Sequence, residues 1–213
     1  MPDLSPAEQR QLAILEKQLE RMRSMHYGYY SQFFQANHLF TVIVLVDILL
    51  SLHPTFRAAI FILPFFLIYA GFFDAYLLSY NLFARIYSTA IEKKINAMLG
   101  LEVLVAHRME DVYLYQTPGK KFVAIDIQRP WTFISANTIS FVFYGGLVFL
   151  LGAYRAWQLL PVYAPHFAPL SFYWYLLVFW TVIHLAYLAW FFVGGKPEKE
   201  IAAIVNTAYG TSD

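Results

Sequence analysis

Residues 39–52, with the sequence LFTVIVLVDILLSL, contain a single charged side chain, that of Asp47. With the preceding residues from Phe33 they form an apolar stretch of the length, roughly 20 residues, that a helix needs to cross the hydrocarbon core of a membrane. Three similar stretches follow, at 58–78, 133–153 and 172–192. The sequence therefore predicts an all-α polytopic membrane protein with four transmembrane helices.

The overall composition supports this class. Of the 213 residues 59% are hydrophobic, 14% are charged, and the mean hydropathy is +0.50. A soluble domain has about 45–50% apolar and about 25% charged residues, which makes an ordinary soluble enzyme a poor fit. The net charge of +1 gives no general attraction to duplex nucleic acid. The absence of cysteine excludes disulfides, thiolate zinc sites and thiol catalysis.

The positions of the basic residues predict the orientation. Thirteen of the fifteen lysines and arginines fall before the first span, between the second and third spans, or in the tail; the other two are Arg57 and Arg155. Cytoplasmic loops carry an excess of Lys and Arg, so we expect both termini and the middle segment in the cytoplasm. A bacterial or archaeal inner membrane is the expected location.

These features divide the chain into five segments. They are a cytoplasmic amphipathic helix (1–35), a hairpin of the first two spans (33–80), a cytoplasmic helix with a β-meander (81–130), a hairpin of the last two spans (131–194) and a cytoplasmic tail (195–213). Because a very short turn around Ser51, His53 and Pro54 connects the first two spans, we expect those spans to be antiparallel.

Two helical segments are expected to form a cytoplasmic stalk. Ser5 to Glu8 has the pattern of a capping box, which predicts a helix start. Leucines and a methionine then recur every three or four residues, from Leu12 to Met22, as in a heptad seam. This seam packs on the protein's own helices, joins subunits, or lies on the membrane surface. Residues 81–99 continue the second span inward, with Gly100 as a C-cap.

The period of the pattern changes after Gly100. The segments 102–107, 112–115 and 122–127 have the composition of strands, and Thr117 to Lys120 has that of a turn. The sequence thus predicts a small three-stranded β-meander, inserted between the second and third spans.

Ionisable side chains inside spans are costly and indicate candidate functional positions. At 1.5 Å per residue, Asp74 and Asn137 lie roughly 24 Å, and His184 roughly 18 Å, from the outer boundary of the membrane. These three residues are expected to share a polar layer, which holds the helices together or conducts ions or protons. Asp47 lies nearer the outer side, about 8 Å deep, where Arg57, His53 or an aqueous vestibule is its expected neighbour.

A second candidate site lies on the predicted meander. It is a basic patch made of His107, Arg108, Lys120 and Lys121. Such a patch can hold a nucleotide or a lipid headgroup, or it can be a solvated edge that prevents aggregation. The sequence contains no recognisable catalytic set, metal-ligand cluster or cofactor motif, so we expect no metal and no cofactor, and an enzyme is disfavoured.

The first hundred residues resemble the SLATT group of prokaryotic membrane effectors. The resemblance rests on a basic, tyrosine-containing helix, with LERMR at 19–23 and HYGYY at 26–30, that leads into a two-span hairpin and an inward helix at 81–99. SLATT proteins are thought to form membrane pores in conflict and antiphage systems. The last two spans and the meander depart from the minimal group, and the resemblance implies no site residues.

Two functions from different classes remain open at this stage. The first is a homo-oligomeric, pore-like or channel-like effector, gated from the cytoplasmic side, in prokaryotic antiphage defence. The second is a four-span enzyme or transporter for a lipid or a small apolar substrate; a scaffold subunit is a third reading. The expected partners are the lipid bilayer, further copies of the chain, and a small nucleotide or protein trigger, but no duplex nucleic acid.

Overall fold

The computed structural model describes residues 4–106, 108–109, 121–122, 125–126, 133–163, 167–193 and 196–210. Two long helices come first, α1 (Pro6–Leu52) and α2 (Leu63–Leu99), with a 3-10 helix (Pro54–Phe61) between them. A short ladder pairs β1 (Lys121–Phe122) with β2 (Ile125–Asp126) in antiparallel fashion. The remaining helices are α3 (Phe133–Tyr163), α4 (Phe167–Leu188) with a π-helical turn (Ala189–Val193), and α5 (Lys196–Tyr209).

The ends of the long helices follow from local chemistry. The Ser5 side chain accepts a hydrogen bond from the backbone N–H of Glu8, and the Glu8 carboxylate accepts one from the backbone N–H of Ser5. This confirms the predicted capping box, and hydrogen bonds from Ser5 lower the pKa of Glu8. At the other end, Gly100 terminates α2 with a φ of 62°, a left-handed conformation that glycine adopts without steric cost.

The lengths of α1 and α2 place part of each outside the membrane. Their 47 and 37 residues correspond to about 70 and about 55 Å. A hydrocarbon core is about 30 Å thick. Because the two helices are antiparallel and joined at the far end, the N-terminal part of α1 and the C-terminal part of α2 extend on the same side. This confirms the helical pairing expected for the stalk.

The stalk has its own apolar core. Leu15, Leu19 and Met22 of α1 pack against Ile91 and Ile95 of α2, and all five are buried. The predicted heptad seam therefore packs within the chain. An interface between copies of the protein must use another surface.

The C-terminal helix α5 attaches to this stalk. The hydroxyl of Tyr209 donates a hydrogen bond to Gln18 Oε1 at 2.9 Å and lies 2.6 Å from the hydroxyl of Tyr87. Burial and the contact with Tyr87 raise the pKa of Tyr209. Val205 of α5 is buried as well. One tyrosine thus connects the tail to both stalk helices.

Aromatic donors fix α4 on α2 and the 3-10 helix. Tyr173 donates to the carbonyl oxygen of Phe61 at 3.0 Å, and Trp180 Nε1 donates to that of Phe65 at 3.2 Å. On the other side of the hairpin, α3 approaches α2 closely at Gly152. A Cβ there would lie 3.3 Å from Leu63 Cδ2, so a larger residue would require the Leu63 side chain to shift.

Within the residues that the structure describes, four helices are long and apolar enough to cross a membrane, which agrees with the predicted number of spans. They lie within Pro6–Leu52, Leu63–Leu99, Thr138–Tyr163 and Leu170–Phe191. Two details differ from the prediction. Residues 58–61, expected in the second span, belong to the 3-10 helix, and Pro161, expected in a loop, lies inside α3.

The predicted three-stranded β-meander is wrong. Residues 102–105, expected in its first strand, form no strand, because the side chain of Asn96 makes hydrogen bonds with their backbone. Its side chain accepts from the N–H groups of Val103 and Leu104 and donates to the carbonyl oxygen of Leu104. Residues 112–115 lie outside the described part of the chain. Within 122–127 the described residues belong to two antiparallel strands, Phe122 to β1 and Ile125 and Asp126 to β2, and not to one continuous strand. The described fold is helical apart from this short ladder.

The stalk core can be tested with a matched pair of apolar residues. Leu15→Ala should reduce stability by about 2–5 kcal/mol, because it removes buried methyl groups. Ile14→Ala should cost less than about 0.5 kcal/mol, since Ile14 is exposed. Thermal unfolding in detergent, followed by circular dichroism, measures both changes. Equal losses in the two variants would contradict this packing.

Candidate functional site

The clearest polar contact between spans joins α1 and α2. Asn37 Nδ2 donates to Asp74 Oδ1 at 3.2 Å and also to the carbonyl oxygen of Phe33 at 2.8 Å. Asp74 is buried, and its second carboxylate oxygen, Oδ2, has no hydrogen-bond partner. The partner of Asp74 is therefore an amide on α1 that the sequence analysis did not single out.

His184 lies on a different side of α2. Its Nδ1 is 2.8 Å from the carbonyl oxygen of Trp180, and its ring packs edge-on against Phe72 with the centroids 5.0 Å apart. Phe72 and Asp74 are two positions apart, which is about 200° around a helix. Asp74 therefore points away from the side of α2 that His184 contacts. The side chain of Asn137, the third member of the predicted layer, lies outside the described part.

Asp47 is half-buried, and its Oδ2 has no hydrogen-bond partner. The neighbours expected from the sequence are engaged elsewhere or exposed. His53 Nδ1 accepts from the backbone N–H of Thr55, and Arg57 is exposed. Within the described residues, the structure does not pair Asp47 with either group.

A line of buried polar side chains follows α2 from the membrane into the stalk. Its members are Asp74, Asn81, Arg85, Ser88 and Glu92. Glu92 is paired with Arg23 of α1, with 2.8 Å between Oε1 and Nη2. Both amide atoms of Asn81 are buried without a hydrogen-bond partner. The repeat of seven residues from Asp74 to Asn81 to Ser88, and from Arg85 to Glu92, is a signal in the sequence that could have revealed this line.

The basic patch is only partly within the described residues. His107 and Lys120 lie outside them, and Lys121 belongs to β1. Arg108 forms an ion pair with Glu102, and both side chains are exposed. Exposed pairs contribute about 0–1 kcal/mol, so this contact neutralises a charge without fixing much structure.

The outer side of α1 carries a further polar surface. Ser31, Gln35 and His38 follow one another at intervals of four and three residues, and they lie on the side opposite the buried Met22 and Val44. Gln35 Nε2 donates to Ser31 Oγ at 3.3 Å, while Gln35 and His38 are exposed. We call these three residues the outer polar face of α1.

The same side of α1 becomes apolar deeper in the membrane. Val42, Leu45 and Leu49 continue the row after His38, and all three are exposed. Along the helix axis, Gln35 lies about 3 Å and His38 about 8 Å beyond Phe33, the predicted start of the first span. No other described element covers this row, so it ends either in lipid or against another molecule.

The fold defines the class of protein: four apolar helices of sufficient length are typical of an integral membrane protein. In the described ranges, no three His, Cys, Asp or Glu side chains are grouped so that they could hold a metal ion. No family model, no curated protein and no solved structure matches the chain.

The pairing of Asn37 with Asp74 predicts coupled mutational effects. In a double-mutant cycle of Asn37→Ala and Asp74→Ala, we expect a coupling free energy of about 0.5–1.5 kcal/mol, the size measured for hydrogen bonds between membrane helices. Unfolding in mixed micelles measures it. The control cycle pairs Asp74→Ala with His184→Ala, which should be additive because the two side chains lie on opposite sides of α2. The reverse pattern would contradict the site described above.

Proposed function

We propose that the protein is a homo-oligomeric membrane protein that forms a pore, gated from its cytoplasmic side. The observation that carries the proposal is the uncovered row along α1. The row is polar where the helix enters the membrane and apolar further in, and it faces away from the rest of the chain. A row of this kind is what a helix at the axis of a pore requires.

The cost of exposed polar groups supports this arrangement. A polar side chain in hydrocarbon loses its hydrogen bonds to water, so polar groups on spanning helices usually face a partner or a water-filled cavity. The amide of Gln35 donates to Ser31 of the same helix, but the described part of the chain places no partner from another helix and no cavity at the outer polar face of α1. A ring of α1 helices would supply both, with neighbouring copies beside each face and water along the axis.

The low burial of the spans also supports a ring of several copies. In the apolar windows of the four helices, the buried share is 6%, 28%, 17% and 6% in chain order. The first span, which carries the row, is as uncovered as the last. Lipid covers apolar side chains well, but it offers no hydrogen bonds to an exposed polar side chain such as that of His38.

The apolar part of the row provides the gate. Narrow apolar constrictions exclude water and thereby stop ions, and they open when they widen or become polar. Val42, Leu45 and Leu49 would form such a constriction in a ring of α1 helices. Because α1 runs without interruption from the stalk into the membrane, a movement of the stalk would be transmitted to this constriction.

The stalk also supplies a place where a signal acts. Tyr209 of α5 connects both stalk helices, and a nucleotide or a protein that displaced α5 would change their packing. The charge distribution supports cytoplasmic termini, and the location that we propose is a bacterial or archaeal inner membrane. With the resemblance to SLATT proteins, these features favour an antiphage effector. No comparable feature supports an enzyme or transporter that uses Asp74 and His184, because Asp74 points away from the side of α2 that His184 contacts.

Making the constriction polar should open the pore. Leu45→Ser should raise the ion flux through proteoliposomes several-fold, because a hydroxyl at the narrowest part lets water enter. The matched control is Leu150→Ser on α3, which is also exposed but lies away from the row and should leave the flux unchanged. Release of a trapped fluorescent ion indicator measures both variants.

The proposal fails on either of two results. One is an equal flux in Leu45→Ser, Leu150→Ser and the unaltered protein at equal incorporation. The other is a larger increase from Leu150→Ser than from Leu45→Ser, which would place the conducting path at α3.

A further inference from the structure

A crevice with aromatic walls lies between α2 and the end of α4. It is lined by six uncharged residues, four on α2 and two on α4 with its π-helical turn: Phe72, Ala75, Tyr76, Ser79, Tyr187 and Phe191. Ala75 has the smallest side chain of the six, so it leaves space that its aromatic neighbours surround. We call these six residues the aromatic crevice.

Ring contacts form the walls of the aromatic crevice. The ring centroids of Phe72 and Tyr187 are 5.2 Å apart, and those of Tyr187 and Phe191 are 6.2 Å apart. Phe191 belongs to the π-helical turn Ala189–Val193, an irregularity that is frequent at functional sites. Tyr76 and Tyr187 are 49% and 47% exposed, so the rim is open to the surroundings of the described chain.

The aromatic crevice lies at the depth of one leaflet of the membrane. Phe72 is about 9 Å from Leu78, the predicted end of the second span. Tyr187 is about 8 Å from Phe192, the predicted end of the fourth. Both ends are on the side of the stalk, because α2 continues into the stalk and α5, which follows α4, attaches to it. The crevice therefore extends from the stalk-side surface of the membrane into the hydrocarbon, where lipid chains surround the protein.

The polar groups of the crevice are at its end nearer the stalk. The hydroxyl of Tyr76 donates to that of Tyr80, 3.2 Å away and one turn closer to the stalk, and Ser79 Oγ donates to the carbonyl oxygen of Tyr76 at 2.6 Å. A hydroxyl that donates keeps lone pairs that accept further hydrogen bonds. Phe72, at the deeper end, offers only carbon. The same order from polar to apolar is found in a lipid, whose headgroup lies at the membrane surface above its chains.

The size of the crevice decides the kind of group that enters it. Its cavity volume is about 40 Å³. One water molecule needs about 10–15 Å³ on this measure, and a pocket for a drug-sized ligand has about 300–1,000 Å³. A bulky ring system is therefore excluded, whereas a few methylene groups of a thin, flexible chain fit.

We propose that the aromatic crevice binds an acyl chain of a phospholipid from the leaflet on the stalk side. The headgroup of this lipid lies at the level of Ser79, and its chain passes between α2 and α4 toward Phe72. The inference goes beyond the proposed pore and does not depend on it, since it requires only the folded chain in a bilayer. A lipid bound here contacts α2, the helix that continues from the membrane into the stalk.

Photolabelling by a lipid tests the site. The protein is placed in nanodiscs that contain a phosphatidylethanolamine with a diazirine in one acyl chain, and mass spectrometry locates the labelled residues. Per residue, 72–79 and 187–191 should be labelled several-fold more than 141–151, a mostly exposed part of α3. The physical reason is that a chain held in the crevice stays near its walls longer than a chain that diffuses past a lipid-facing helix.

Two matched substitutions identify the crevice as the cause of the labelling. Ala75→Leu fills the crevice and should reduce the labelling of 187–191 several-fold. Ala186→Leu makes the same change at an exposed position of α4 outside the lining, and it should leave the labelling unchanged. Circular dichroism in detergent verifies that both variants fold.

Three results would overturn the proposal. The first is equal labelling of the crevice and of 141–151 in the unaltered protein. The second is an unlabelled crevice beside a labelled 141–151, as expected if a second copy of the chain covers the crevice. The third is unchanged labelling in a folded Ala75→Leu variant. If Ala75→Leu does not fold, the comparison within the unaltered protein decides alone.

Discussion

The antiparallel contact between α1 and α2 is the interaction on which the rest of the structure depends. Leu15 and Leu19 pack on Ile91 and Ile95 in the stalk, and Asn37 bonds Asp74 in the membrane. These contacts, in the stalk and in the membrane, hold α1 and α2 together as one unit. Each of the two helices is longer than a bilayer is thick. Since the inner side of α1 is used in this way, its outer side is left for other molecules.

The sequence predicts the number of spans, the capping box and the Gly100 cap correctly because each depends on local chemistry. A run of apolar residues excludes water whatever its neighbours are, and Ser5 and Glu8 bond within one turn. The predicted meander failed for the opposite reason. The pattern at 102–105 is that of a strand, but the Asn96 side chain takes the hydrogen bonds that a strand would need.

The candidate site was predictable only in part. Counting residues along the predicted spans gave the expected depths of Asp74 and His184 in the membrane. Such a count does not give the direction in which a side chain points. Asn37 was the partner that mattered, and an amide near the end of a span is not conspicuous. The sequence analysis singled out neither Arg85 nor Glu92, yet both are buried, Glu92 beside Arg23. Helix packing determines such burial, and the seven-residue repeat of polar positions along α2 is the signal of it that the sequence contains.

The central claim is that α1 lies innermost in a ring of identical chains. Electron cryomicroscopy of the protein in lipid nanodiscs tests it most directly, because it shows the number of copies and the helix nearest the symmetry axis together. The account predicts more than two copies, with Gln35, His38 and Leu45 facing the axis. A single chain, or a ring in which α3 or α4 lines the axis, would contradict it.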